Sequence, residues 1–234
     1  MARSNLIIAN STPANLAMIG YYRFWLITDH NLTQMVGKNG MNGASVASIA
    51  NQYSFSRTIE NGTAARLAET VTALASVWPT TMRDRAEECI SIGEAVGTYS
   101  GASKLMWFLK PDGWTPYDSY AAKALRCGYG PSPTKMRQFY SQFEKLQDKT
   151  DGLAELVDKI EPRLHVERVL DQFLVLHGMP DSAFKNRRDE LLSFVDALPE
   201  DFARGLTATS MNCGDIISAG FAQLKLTAAK PRKT

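Results

Sequence analysis

The chain has 234 residues, 44% of them hydrophobic and 21% charged, with 26 Lys and Arg against 24 Asp and Glu, a net charge of +2. This is the composition of an ordinary globular protein, long enough to bury a sizeable core as one domain of two lobes or as a large and a small domain. It contains no apolar run of about 18 residues, which excludes a transmembrane helix.

Three cysteines, Cys89, Cys127 and Cys213, stand far apart and unpaired in number, and His30, His165 and His177 are isolated. That spacing argues against a disulfide framework, a structural zinc or an iron–sulfur cluster, so neither metal nor cofactor is expected. The first residues lack the charged start, apolar stretch and small-residue cleavage site of a secretory leader, and a cytoplasmic location is expected.

In chain order, Thr12-Pro13 reads as a cap and first-turn proline opening a long helix on Leu16, Ile19, Tyr22, Phe24, Leu26 and Ile27. Lys38 to Gly43 reads as a loop, Ala44 to Tyr53 as a helix, and Tyr53-Ser54-Phe55-Ser56-Arg57-Thr58 as a loop able to offer Arg57 to a base or phosphate from an opposite lobe. Amphipathic helices follow over Thr63 to Trp78 and Arg83 to Val96, the latter capped by Thr80 or Thr81. Beyond residue 118, helices are predicted from Ser119 to Cys127 (closed by Gly128), Thr134 to Leu146, Gly152 to Ile160, His165 to Leu176, Ser182 to Ala197, and Ser210 to Leu226. Leu6-Ile7-Ile8 is too short to count as a strand, and the fold class is all-α.

The densest chemistry lies in Ser103-Lys104-Leu105-Met106-Trp107-Phe108-Leu109, followed by a loop through Pro111, Gly113, Trp114 and Pro116 to Tyr117-Asp118-Ser119. Lys104 is expected to start a short helix that buries Leu105, Met106, Phe108 and Leu109, with the prolines and glycine ending it. Asp118 falls where an N-cap is favoured. An amine and a carboxylate then face each other across the loop, a pairing suited to attack at a glycosidic carbon and stabilisation of the charge that develops there. Trp107 and Phe108 read as core. Trp114, between two helix breakers, reads as a candidate for stacking on a base, with Tyr117 and Tyr120 beside it. Taken alone, Asp118 is equally a helix cap and Lys104 a surface lysine.

Charge is uneven along the chain. Residues 101–140 carry Lys104, Lys110, Lys123, Arg126, Lys135 and Arg137 against Asp112 and Asp118, whereas 144–163 carry six acids against four bases. A basic patch at the loop is what a phosphate backbone requires, and Lys110, Lys123 and Arg126 are its candidates. A basic tail over about 228–234 adds Lys230, Arg232 and Lys233.

Ser103–Leu109 and Pro116-Tyr117-Asp118-Ser119 also resemble the catalytic helix-hairpin-helix region of DNA glycosylases, in the bacterial branch with the 8-oxoguanine-glycosylase fold. The likeness spans about residues 92–127 and extends faintly over 165–178, through Arg168-Val169-Leu170-Asp171 and Leu176-His177-Gly178. It implies a two-lobed α-helical bundle with a cleft between the lobes and a monomer acting on double-stranded DNA. Lys104 would be the catalytic lysine and Asp118 the catalytic aspartate, with no cofactor. The substrate implied is a hypermodified phage base such as glucosylated hydroxymethylcytosine, in antiviral defence, or 8-oxoguanine, in repair. The alternative is a catalytically inactive DNA-binding or protein-partner module of a defence system. One departure stands out: in place of the family's Gly-x-Gly turn, Gly97-Thr98-Tyr99-Ser100-Gly101 sets its glycines four apart.

Overall fold

A computed structural model describes residues 11–59, 63–74 and 78–226. Among the described residues every regular element is helical and none is a strand. The Leu6-Ile7-Ile8 stretch, the Asn61-Gly62 turn and the basic tail lie outside them.

The first helix, α1 (Pro13–Phe24), starts as the sequence predicts. The Thr12 hydroxyl accepts from the Asn15 amide, the Asn15 side chain accepts from the Thr12 amide, and a proline stands in the first turn. It does not run on through Ile27. A π-helical turn, Trp25–Asp29, intervenes before α2 (His30–Asn39). Its wider winding rotates the apolar stripe, leaving Leu26 45% and Ile27 56% exposed while Asp29 is fully buried.

Next come α3 (Gly43–Gln52), whose first amides bond the Asn42 side chain, α4 (Thr63–Leu74), and α5 (Met82–Val96), capped by Thr81 on the Asp84 amide. Gly97 closes α5 at φ 75°. Then α6 (Tyr99–Leu109) begins five residues before the expected start at Lys104, because the Thr98 hydroxyl accepts from the Gly101 amide at 3.1 Å and caps a helix there.

The short α7 (Ser119–Ala124) ends earlier than predicted. The Cys127 amide donates to Ala122 O at 2.8 Å and the Arg126 amide to Lys123 O at 3.0 Å, a Schellman closure. Its left-handed residue is Arg126 at φ 59° and not Gly128, which stands two residues further on. The remaining helices are α8 (Pro133–Gln147), α9 (Leu153–Asp158), α10 (Val166–Gly178), α11 (Asp181–Asp196) and α12 (Glu200–Ala222). The last starts ten residues ahead of the expected Ser210. Pro199 at its cap and Glu200 and Asp201 in its first turn suit a helix N-terminus.

The chain packs as two compact units. One is built from residues 1–25, 119–129 and 143–234, and centres on α1 packed against α10, α11 and α12. In it α7 lies against α10 so closely that a Cβ on Gly178 would strike the Tyr120 carbonyl. The second unit comprises 26–118 and 130–142, with α5 on α6 and α3 on α4. Its aromatic core holds Trp107, Trp114, Tyr117, Phe139 and Tyr140, each no more than 1% exposed.

Candidate active site

Both members of the predicted pair, Lys104 and Asp118, belong to the second unit. Because Thr98 starts α6, Lys104 stands in the helix's second turn and is only 8% exposed. Its ammonium donates to the Ser100 hydroxyl at 2.5 Å, to Ser100 O at 3.4 Å and to Tyr117 O at 3.3 Å. The Tyr53 and Phe55 rings lie 5.8 and 5.9 Å from it, within cation–π reach.

The Tyr117 carbonyl belongs to the peptide bond that leads into Asp118, so the amine is held against the backbone of its predicted partner. Asp118 itself is half-buried and immediately precedes α7, the cap position.

The loop is fastened to α6 at further points. The Ser103 hydroxyl accepts from the Tyr117 amide at 2.9 Å and donates to Ser100 O at 2.8 Å, and the Ser100 hydroxyl donates to Tyr117 O at 3.3 Å. The Trp114 indole N–H donates to Ser103 O at 3.5 Å. Ser100, Ser103 and Lys104 therefore form one polar strip along α6, at positions i, i+3 and i+4, that holds residues 114–118.

Trp114 and Tyr117 depart from expectation. Both are fully buried: Trp114 stacks on Tyr140 with centroids 4.1 Å apart and planes 16° off parallel, and Tyr117 sets its edge on Phe139. A loop flanked by prolines and glycine packs its large rings inward because burying an indole or phenol outweighs the loop's freedom to expose it. Neither ring faces outward to stack on a base. They hold the loop that carries Asp118.

Of the other predicted contact residues, two share the second unit with Lys104. Lys110 ends α6 and is exposed, as is Arg57 on the short 3₁₀ turn Ser56–Thr58. The loop bearing Arg57, expected from the opposite lobe, belongs to the same unit as Lys104 and turns Tyr53 and Phe55 toward the amine. Ser54 at φ 59° makes the bend between those rings. Tyr120, Lys123 and Arg126 belong to the first unit, where Tyr120 is half-buried and both bases are exposed.

Sequence reasoning missed two neighbours of Lys104 and a buried acid behind a third. Ser100 was read as part of a hairpin. Asp29, a carboxylate with no exposure, accepts from the Tyr53 hydroxyl at 2.5 Å, so a buried acid orients a ring facing the amine. Cys89 on α5 donates to Tyr99 O at 3.7 Å; burial pushes its thiol far up against the opposing pull of the Lys104 charge. Periodicity carried no signal for Asp29, a single acid in an otherwise apolar pattern.

The altered hairpin has its own resolution. Gly97 serves as the closing residue of α5 and the Gly101 amide is engaged by Thr98, so these glycines serve helix ends. A cavity of about 530 Å³ in the same unit is lined by Met41, Asn42, Gly43, Ala65, Ala68 and Glu69, and neither predicted catalytic residue lines it.

Among the described residues no group of three or more His, Cys, Asp or Glu is arranged to hold a metal ion, and no helix is long and apolar enough to cross a membrane. No protein-family model, curated protein or solved structure matches the chain.

Proposed function

We propose that the protein is a DNA glycosylase that excises a modified or damaged base from duplex DNA, using Lys104 and Asp118 and no metal or cofactor. One observation carries the reading: a lysine only 8% exposed holds its amine 3.3 Å from the carbonyl that precedes Asp118. An amine withdrawn from water is costly for a fold to keep, and an amine that has given up its proton is a nucleophile toward a sugar carbon.

In this reading the target base is first rotated out of the stack, at a cost of a few kcal/mol. Neutral Lys104 Nζ attacks C1′, and the C1′–N glycosidic bond breaks with its electron pair leaving on the base, which takes a proton from water. The Asp118 carboxylate balances the positive charge that builds on the sugar and accepts the proton lost from Nζ. The sugar opens to a Schiff base on Lys104, whose hydrolysis returns the amine and leaves an abasic site. The sequence resemblance supports two substrates, a glucosylated hydroxymethylcytosine of phage DNA and 8-oxoguanine.

A second reading has its own observation. All three acceptors of the Lys104 ammonium given above are groups of α6 and the loop, so the lysine serves equally as a staple in a catalytically inactive DNA-binding or protein-partner module.

Incubation with ordinary, 8-oxoguanine and glucosylated phage DNA, followed by alkali, separates the two. The glycosylase reading expects strand breaks in one modified DNA, absent with Asp118→Asn. Breaks in none of the three would establish the module.

A further inference from the structure

We infer that the first unit carries a DNA-docking surface made by Tyr129, Lys123, Arg126 and Lys225, where the bases neutralise phosphates and Tyr129 stacks on an unpaired base. The choice of DNA rests on the glycosylase reading; the surface rests on the following observations.

The chain has no Asp or Glu from 119 to 143 or from 216 to 234. These two acid-free stretches meet in the fold, because the Arg126 guanidinium donates to Leu226 O at 2.9 Å. Among the described residues of the first unit they carry Lys123, Arg126 and Lys225 and no acid. Lys123, Arg126 and Lys225 are all exposed. Beneath them α10 turns its own acids, Glu167 and Asp171, inward, with Asp171 paired to Arg168. Exposed bases on acid-free segments attract a polyanion.

Arg126 gives a second, independent sign. It occupies the left-handed closing position of a Schellman motif, where glycine is favoured, although Gly128 lies two residues away. The left-handed backbone there carries an exposed guanidinium that bonds Leu226 O, a group that glycine would lack.

The third sign is Tyr129. It is 65% exposed, the most exposed of the large apolar side chains among the described residues. Gly128 and Gly130 flank it at φ 84° and 79°, and its ring meets Tyr120 edge-on at 5.9 Å, which fixes its orientation. An exposed, oriented aromatic on the same segment as exposed bases is the arrangement that holds a strand by stacking and charge together.

The test uses the full chain and a fluorescein-labelled DNA duplex bearing one bulged 2-aminopurine. Arg126→Gly relieves the strained backbone, so the fold is kept or strengthened while the slope of log affinity against log salt falls by about 1. Lys123→Ala with Lys225→Ala lowers it by about 2. Tyr129→Ala leaves the slope alone, abolishes 2-aminopurine quenching and weakens binding roughly 5- to 150-fold, and Tyr129→Trp restores both. Slopes and quenching unchanged in all these variants would overturn the surface. Base release measured alongside keeps the claims apart. Altered binding without base release from any DNA upholds the surface and rejects the glycosylase, and base release with unaltered slopes does the reverse.

Discussion

Replacing Lys104 by methionine tests whether the buried amine is kept for chemistry or for the fold. The change removes a hydrogen bond of 2.5 Å to the Ser100 hydroxyl and longer ones of 3.4 and 3.3 Å to the Ser100 and Tyr117 carbonyls. It orphans neither carbonyl: Ser100 O still accepts from the Ser103 hydroxyl at 2.8 Å, and Tyr117 O from the Ser100 hydroxyl at 3.3 Å. Asp118, half-buried, keeps its access to water.

The strongest of these is one charge-assisted bond, ~1.5–3 kcal/mol, set against release from several kcal/mol of ammonium desolvation. Methionine fills a similar volume without strain. Lys104→Met is expected to leave stability unchanged or raise it by up to ~2 kcal/mol, a melting shift of 0 to about 8 °C at this chain length. Base release falls roughly 1,000-fold or more. Circular dichroism melts and alkali-revealed strand breaks read the two effects. A stability loss beyond ~1 kcal/mol would refute the reasoning and make Lys104 a structural staple.

Trp114→Ala removes a fully buried indole stacked on Tyr140 and is expected to cost about 3–5 kcal/mol in a urea titration; a surface tryptophan would cost almost nothing. Gly178→Ala drives a methyl into the Tyr120 carbonyl and is expected to destabilise by about 1–3 kcal/mol in the same assay. Burial raises the Cys127 thiol from 9.0 to about 11 and that of Cys213 to about 12. All three buried thiols should then resist Ellman's reagent at pH 8 until denaturant is added. The folded chain keeps thiol protons that the unfolded chain has released, so stability should fall as pH rises from about 9 toward 11–12 in melts across that range.

What the sequence disclosed was mostly local. The Thr80-Thr81 pair marked the start of α5, and apolar spacing located α4 and α10, because caps and amphipathic stripes are written in neighbouring residues. What it hid depended on distant partners or on competition between local signals. Trp114 is buried because Tyr140 stacks on it, a partner no spacing rule supplies. Tyr53 reaches Lys104, and Asp29 reaches Tyr53, only through the packing of other helices. Gly97 and Gly101 read as a hairpin, yet Thr98 between them caps a helix and the cap prevails. Gly128 read as the stop of α7, yet the left-handed residue is Arg126. Lys104 and Asp118 were legible as a pair because the loop joining them is short, whereas the burial of the lysine was not.

Borohydride trapping addresses the role of Lys104 most directly. The protein is incubated with glucosylated phage DNA and with 8-oxoguanine DNA in the presence of borohydride, digested, and mapped by mass spectrometry. The account predicts a reduced sugar adduct on Lys104, lost in Lys104→Met. An adduct on another lysine such as Lys110, or base release with no adduct at all, would contradict it.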